Sequence, residues 1–177
     1  MPRLAIIDPA TDSGPGADLL NGPLKEKQIN IFKGLAAHPP VLQAFLGFVG
    51  GVKEGHALTA KEQEVVALVC GQERNCEYCL AAHTQIAKGA GIDADLALEI
   101  RRGTAPDDRL NAVGDLTRAI IESKGFVTDA QLDAFRGAGF DDKAVIEVVA
   151  HVAINTFTSF YNHVNDTEVD FPVAASV

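Results

Sequence analysis

Residues 64–83 read Glu64-Val-Val-Ala-Leu-Val-Cys70-Gly-Gln-Glu-Arg-Asn75-Cys76-Glu-Tyr78-Cys79-Leu-Ala-Ala-His83. The first part is apolar almost all round, which predicts a buried helix, because such a segment offers no face to water. Gly71 is expected to break that helix. Asn75 is expected to cap the next one, Cys76 to Lys88, which Gly89 and Gly91 close. On that second helix Cys76 and Cys79 lie three apart, and Cys79 and His83 four apart. Those spacings stack the three side chains on one helix face. Two thiols and an imidazole in one stripe make a redox or metal constellation.

Working outward, the flanking segments repeat the helical pattern. Upstream, Thr59-Ala-Lys-Glu62 forms a capping box that opens the apolar helix. Before it, one helix is expected over Leu24–Ala37, stopped by His38-Pro39-Pro40. Another is expected from Pro40 to the Gly50-Gly51 pair. Downstream, Asp93 caps a short helix to Arg102, and Gly103 to Pro106 lead into another that Gly125 closes. A second capping box, Thr128 to Gln131, starts a helix to Phe135, and Asp141 caps a long one running toward Val164. The segment 166–172 reads as extended. Residues 1–23 carry prolines and glycines without period and read as an extended N-terminal arm. No strand-like alternation competes anywhere. The expected architecture is an all-α helical bundle of about eight helices, one domain over residues 24–172.

Composition bounds the function. A chain of 177 residues, 47% hydrophobic, can bury one ordinary core and fits a soluble globular protein. A formal charge of −9 speaks against a nucleic-acid partner, which needs a basic footprint. No apolar run approaches the ~20 residues that span a bilayer, and the patch after Met1 is too short for a secretory signal. The expectation is a cytoplasmic protein with no membrane partner. Three cysteines, an odd number, make a disulfide framework a poor reading. In a reducing compartment a Cys-x-x-Cys pair is more often catalytic or metal-binding.

A thiol reacts as thiolate, so its proton must be taken or its charge offset. Cys79 in the first turn of its helix gains from unpaired backbone amides, and His83 can take its proton. Cys76 lies within disulfide reach of Cys79. Glu64, set among valines, is costly as a bare carboxylate and would suit an imidazolium at His83, making a Glu–His–Cys relay. Cys70, Cys76, Cys79 and His83 also make four zinc-type ligands. Structural zinc, however, mostly stabilises small loop-rich folds, and Cys70 behaves as a small buried hydrophobe. No metal or other cofactor is therefore expected. His38 and His56 read as surface residues, and His151, on the last helix with His163, as a core histidine.

Glu64, eleven intervening residues, Cys76, Cys79 and His83 resemble the signature of the AhpD-like alkylhydroperoxidases of the carboxymuconolactone decarboxylase superfamily. Ala-Lys-Gly-Ala-Gly-Ile after the motif, Phe-Val-Thr-Asp at 126–129 and the segment from Asn162 to Pro172 resemble its peroxidase-related branch. The resemblance implies an all-α fold assembling as trimers or hexamers and a thiol-dependent reduction of hydroperoxides. In that reading Cys79 is the peroxidatic thiol, Cys76 the resolving one, and His83 and Glu64 relay the proton. A dithiol reductant, on a lipoylated or thioredoxin-like protein, would restore the pair. Tyr78 stands where the best-known members carry a histidine, leaving it a possible supporting residue. Members that decarboxylate a muconolactone generally lack the cysteine pair. Two other readings stay open: a dithiol–disulfide oxidoreductase or redox sensor without peroxide turnover, and a zinc-bearing assembly protein.

Overall fold

The computed structural model describes all 177 residues. It holds nine α-helices, a short 3-10 turn at Lys25–Lys27 and no strand. In chain order the helices are α1 (Pro15–Asn21), α2 (Asn30–Leu35), α3 (Pro39–Lys53), α4 (Ala60–Glu73), α5 (Glu77–Gly89), α6 (Ala94–Arg102), α7 (Asp108–Ser123), α8 (Asp129–Gly137) and α9 (Asp142–Asn165). The all-α expectation holds.

The apolar-all-round helix is the axis of the packing. α4 lies against α5, α6, α7 and α9, and Val65 to Cys70 are all buried. Its capping box is formed, with Thr59 Oγ1 accepting from the Glu62 amide and the Glu62 carboxylate from Thr59 N–H at 2.7 Å. Glu62 also receives Arg109 Nε at 2.5 Å, tying the start of α4 to α7. One core gathers α4 with α6, α7, α8 and α9 around Val65, Leu68, Val113, Phe135 and Val148. A second, smaller one joins Leu20, Leu24, Ile31, Leu35 and Leu42 to Cys76, Tyr78, Cys79 and Ala82. The first three helices therefore act as the apolar cover of the cysteine pair.

Three boundaries and one expectation about hydropathy depart from the sequence reading. Within the segment read as an extended arm, Pro15–Asn21 is helical and buries Ala17 and Leu20. Pro15 suits the first turn, where its missing N–H costs nothing. The single helix expected over Leu24–Ala37 is split: Ile29 is extended, and α2 starts at Asn30, whose N–H is held by Asp170 Oδ2 at 2.7 Å. Gly71 does not break α4, which continues to Glu73. Its missing side chain instead admits α5, since a Cβ there would stand 3.1 Å from Leu80 Cδ2. Finally, α9 is long and apolar enough to cross a membrane by length and composition, against the expectation that no segment comes near. In this fold it is a packed helix, set against α3, α4, α5 and α7.

α9 differs from an ordinary surface helix in carrying polar residues on its buried side and apolar ones on its exposed side. Beside the buried Val148, Val152 and Ile154, its buried side carries Glu147, His151, Asn155, Ser159 and Asn162, while its exposed side carries Ile146, Val149, Phe157, Phe160 and Val164. Beside that apolar face, α3 presents Val41 and Phe48. Together the two helices line an open apolar groove of about 290 Å³, with Phe45 and Phe157 stacked 5.3 Å apart.

Candidate redox site

The turn between α4 and α5 aims the cysteine pair. Asn75 has φ 50°, in the left-handed region. Cys76 N–H reaches back to Gly71 O at 2.9 Å and Asn75 N–H to Gln72 O at 3.1 Å. That pairing is a Schellman closure of α4 with Asn75 at its left-handed position, which Asn tolerates better than most residues. Asn75 therefore ends α4 and does not cap α5. The cap is Cys76 itself, whose Sγ accepts the N–H of Cys79 at 3.2 Å.

Cys76 and Cys79 are joined as a disulfide, with Cα atoms 5.2 Å apart. Cys76 is 0% and Cys79 5% exposed, so only the second has any path to solvent. One turn further along α5, His83 Nδ1 meets Glu64 Oε2 of α4 at 2.8 Å. Both side chains are partly buried, 24% and 16% exposed. A carboxylate held against Nδ1 fixes the N–H there and leaves Nε2 as the nitrogen that can take or give a proton. The four residues expected to act together lie on two adjoining helices.

Tyr78 is placed elsewhere. Its hydroxyl accepts the N–H of Ile31 at 3.3 Å, and its ring meets Phe171 edge-on at 5.7 Å. Burial, with Asp170 adding to it, raises its pKa well above the usual phenol range. It is an anchor between α5, α2 and the segment after α9. Cys70 lies in the main core, apart from the pair. Burial pushes its thiol up to about 12, so it stays protonated at neutral pH. No group of three His, Cys, Asp or Glu side chains is arranged to hold a metal.

The sequence reading passed over the buried polar face of α9. Asn162, 4% exposed, donates Nδ2–H to Cys79 Sγ at 3.7 Å. His151 is buried with its Nε2 unpartnered. Burial lowers its pKa, with Glu147 and Glu64 opposing the shift. Glu147 itself accepts the N–H groups of Ala57 and Leu58 at 2.9 and 2.8 Å and holds the turn before α4. A signal was present: polar residues at 147, 151, 155, 159 and 162 recur at three- and four-residue steps inside an apolar helix.

The sequence pattern of the carboxymuconolactone decarboxylase family matches residues 39–122, from the start of α3 to the last turn of α7. Over that span the chain is similar to the carboxymuconolactone decarboxylase family. The matched span contains Glu64, Cys76, Cys79 and His83. Among solved structures, the fold resembles the alkylhydroperoxidase AhpD core of an uncharacterized peroxidase-related protein from Ralstonia eutropha JMP134. That likeness has a TM-score of 0.85 at 19% identity and covers 96% of this chain and 92% of that one. A cysteine-to-alanine variant of the debrominase Bmp8, in complex with 2,3,4-tribromopyrrole, has a TM-score of 0.69 at 17% identity, covering 80% and 76%. At those identities the likeness is one of fold. An uncharacterized protein of Haemophilus influenzae is 36% identical over 50 residues, a match spanning 28% of this chain and 44% of that protein. A helical carboxymuconolactone decarboxylase-type scaffold with a closed Cys-x-x-Cys disulfide supports a redox role.

Proposed function

We propose that this chain is a member of the carboxymuconolactone decarboxylase superfamily and a thiol-dependent peroxidase that reduces hydroperoxides. The observation that carries the reading is the 2.8 Å Glu64–His83 pair one helical turn from the Cys76–Cys79 disulfide. In the reduced protein His83 accepts the Cys79 proton, and Glu64 stabilises the resulting imidazolium. The Cys79 thiolate attacks the terminal peroxide oxygen, the O–O bond breaks, and the departing alkoxide takes the proton from His83 to leave as alcohol. Cys79 is then a sulfenic acid. The Cys76 thiol attacks that sulfur, and water leaves as the disulfide closes. Two thiols of a reductant reopen it by exchange. With Cys76 fully buried and Cys79 nearly so, a dithiol on a long flexible arm, such as a lipoyl group, fits the access better than a broad protein face. The cycle needs the reducing cytoplasm, which is where we place the protein.

Stopped-flow mixing of the reduced protein with an alkyl hydroperoxide tests this. Disulfide formation should far outpace oxidation of a free thiol, and Cys79→Ser should abolish it. Undiminished turnover in that variant overturns the assignment. A second reading, dithiol–disulfide exchange without peroxide turnover, is favoured by the hydrogen bond that Cys76 Sγ accepts at the start of α5, an arrangement that stabilises a thiolate on Cys76. It predicts exchange with a small disulfide but hydroperoxide oxidation no faster than free thiol. The exposed apolar faces of α9 and α3 support assembly with further copies of the chain.

A further inference from the structure

We propose that Asn162 is a catalytic residue: its side-chain amide holds the Cys79 sulfur through the Nδ2–H contact and offers its buried, unpartnered Oδ1 to the hydroperoxide. The proposal rests on the reading of Cys79 as the reactive thiol. Asn162 comes from α9, three turns beyond His151, and is 4% exposed. Its Nδ2 lies 3.7 Å from Cys79 Sγ. The other half of the carboxamide, Oδ1, is buried and accepts nothing. Buried acceptors are nearly always paired, so an orphan oxygen beside a reactive sulfur marks the place of a donor that comes and goes.

A neutral disulfide sulfur is a weak acceptor, whereas a thiolate is a strong one, and hydrogen bonds to charged groups are about twice as strong as neutral ones. The amide therefore favours the thiolate over both the thiol and the disulfide. It supplies from α9 what Cys76 Sγ draws from a backbone amide at the start of α5, so each sulfur of the pair has its own donor. A hydroperoxide whose terminal O–H donates to Oδ1 has that same oxygen beside the sulfur that attacks it. The reaction balance is unchanged: the S–O bond forms, the O–O bond breaks, and the alkoxide takes its proton from His83. Ionisable groups on the helices packed around Cys79 include Tyr78 and His83 on α5, Glu64 on α4 with Arg74 just after it, and Glu147, His151 and Tyr161 on α9.

The test reads Cys79 alone, in a Cys76→Ser background, by the pH dependence of iodoacetamide alkylation. Asn162→Leu should move the midpoint up by about one unit, a roughly tenfold loss of thiolate at neutral pH, and Asn162→Asp should move it further. Hydroperoxide oxidation in the Asn162→Leu variant with both cysteines should fall at least tenfold at pH 7 and recover only in part at alkaline pH, since Oδ1 is also gone. An unmoved alkylation midpoint overturns the proposal. Should Asn162→Leu fail to fold, the unsubstituted protein labelled with 15N-asparagine decides: the side-chain amide signal missing from Asn162→Asp must shift on reduction, and a signal that stays put overturns the proposal. Alkylation needs no hydroperoxide. A protein whose midpoint moves as expected but which never reduces hydroperoxides refutes the peroxidase reading and the Oδ1 assignment, and leaves the Nδ2–H contact standing.

Discussion

His151 shows what a single buried side chain does to the pH response. Its Nε2 is buried without a partner. Burial holds its pKa below the ordinary 6.5, Lys53 and His83 push the same way, and Glu147 and Glu64 push back without prevailing. A group whose folded pKa is depressed contributes stability above its unfolded pKa and loses it as pH falls through the folded value. The unfolded chain takes up the proton first, so acidification below 6.5 draws the protein toward unfolding. The urea midpoint should fall between pH 7.5 and 5.5, and the fall should shrink in His151→Gln; an equal fall in both proteins would remove His151 as its source. At this scale the sequence was partly legible. Glu64 and His83 could be paired because a carboxylate among valines demands a cation. Asn162 could not be placed on Cys79, because the two are 83 residues apart and only tertiary packing joins α9 to α5.

Among the elements, the α4–α5 junction decides where the sulfurs point. Asn75 at φ 50° ends one helix so that Cys76 can cap the next. A β-branched residue at a left-handed position costs about 1–2 kcal/mol, whereas glycine is at ease there. Asn75→Val should therefore lower stability by about that amount in urea unfolding and slow hydroperoxide oxidation. Asn75→Gly should match the parent within about 0.5 kcal/mol, and equal losses in both would show that the left-handed turn is not what matters. Capping boxes, apolar periodicity and the prolines located eight of the helices, since those are local effects. Two signals misled because one residue type serves two purposes. Gly71 looked like a breaker and is a point of close approach, while Gly14-Pro15-Gly16 looked like an arm and opens α1. Length and apolarity alone could not reveal that α9 buries a polar row and exposes an apolar one.

For the whole molecule, the exposed residues Ile146, Val149, Ala153, Phe157, Phe160 and Val164 follow one another at steps of three, four, four, three and four. That is the spacing of a helix-pairing seam, and it continues onto Val41 and Phe48 of α3. We propose that a second copy of the chain covers this seam. Sedimentation should find an oligomer, and Ile146→Glu with Phe160→Glu should reduce it to monomer with the helical content kept. A parent that sediments as monomer at tens of micromolar would end that reading.

The cover over the cysteine pair draws on distant parts of the chain. Leu20 and Leu24 come from its beginning, and Phe171, whose ring meets Tyr78 edge-on, from beyond α9. During synthesis the two thiols leave the ribosome long before Phe171 does. Throughout that interval their cover lacks its last piece, and oxidants or the thiols of other proteins meet a more open pair. The finished fold restricts which molecules reach these sulfurs, and that cover is complete only once Phe171 has docked.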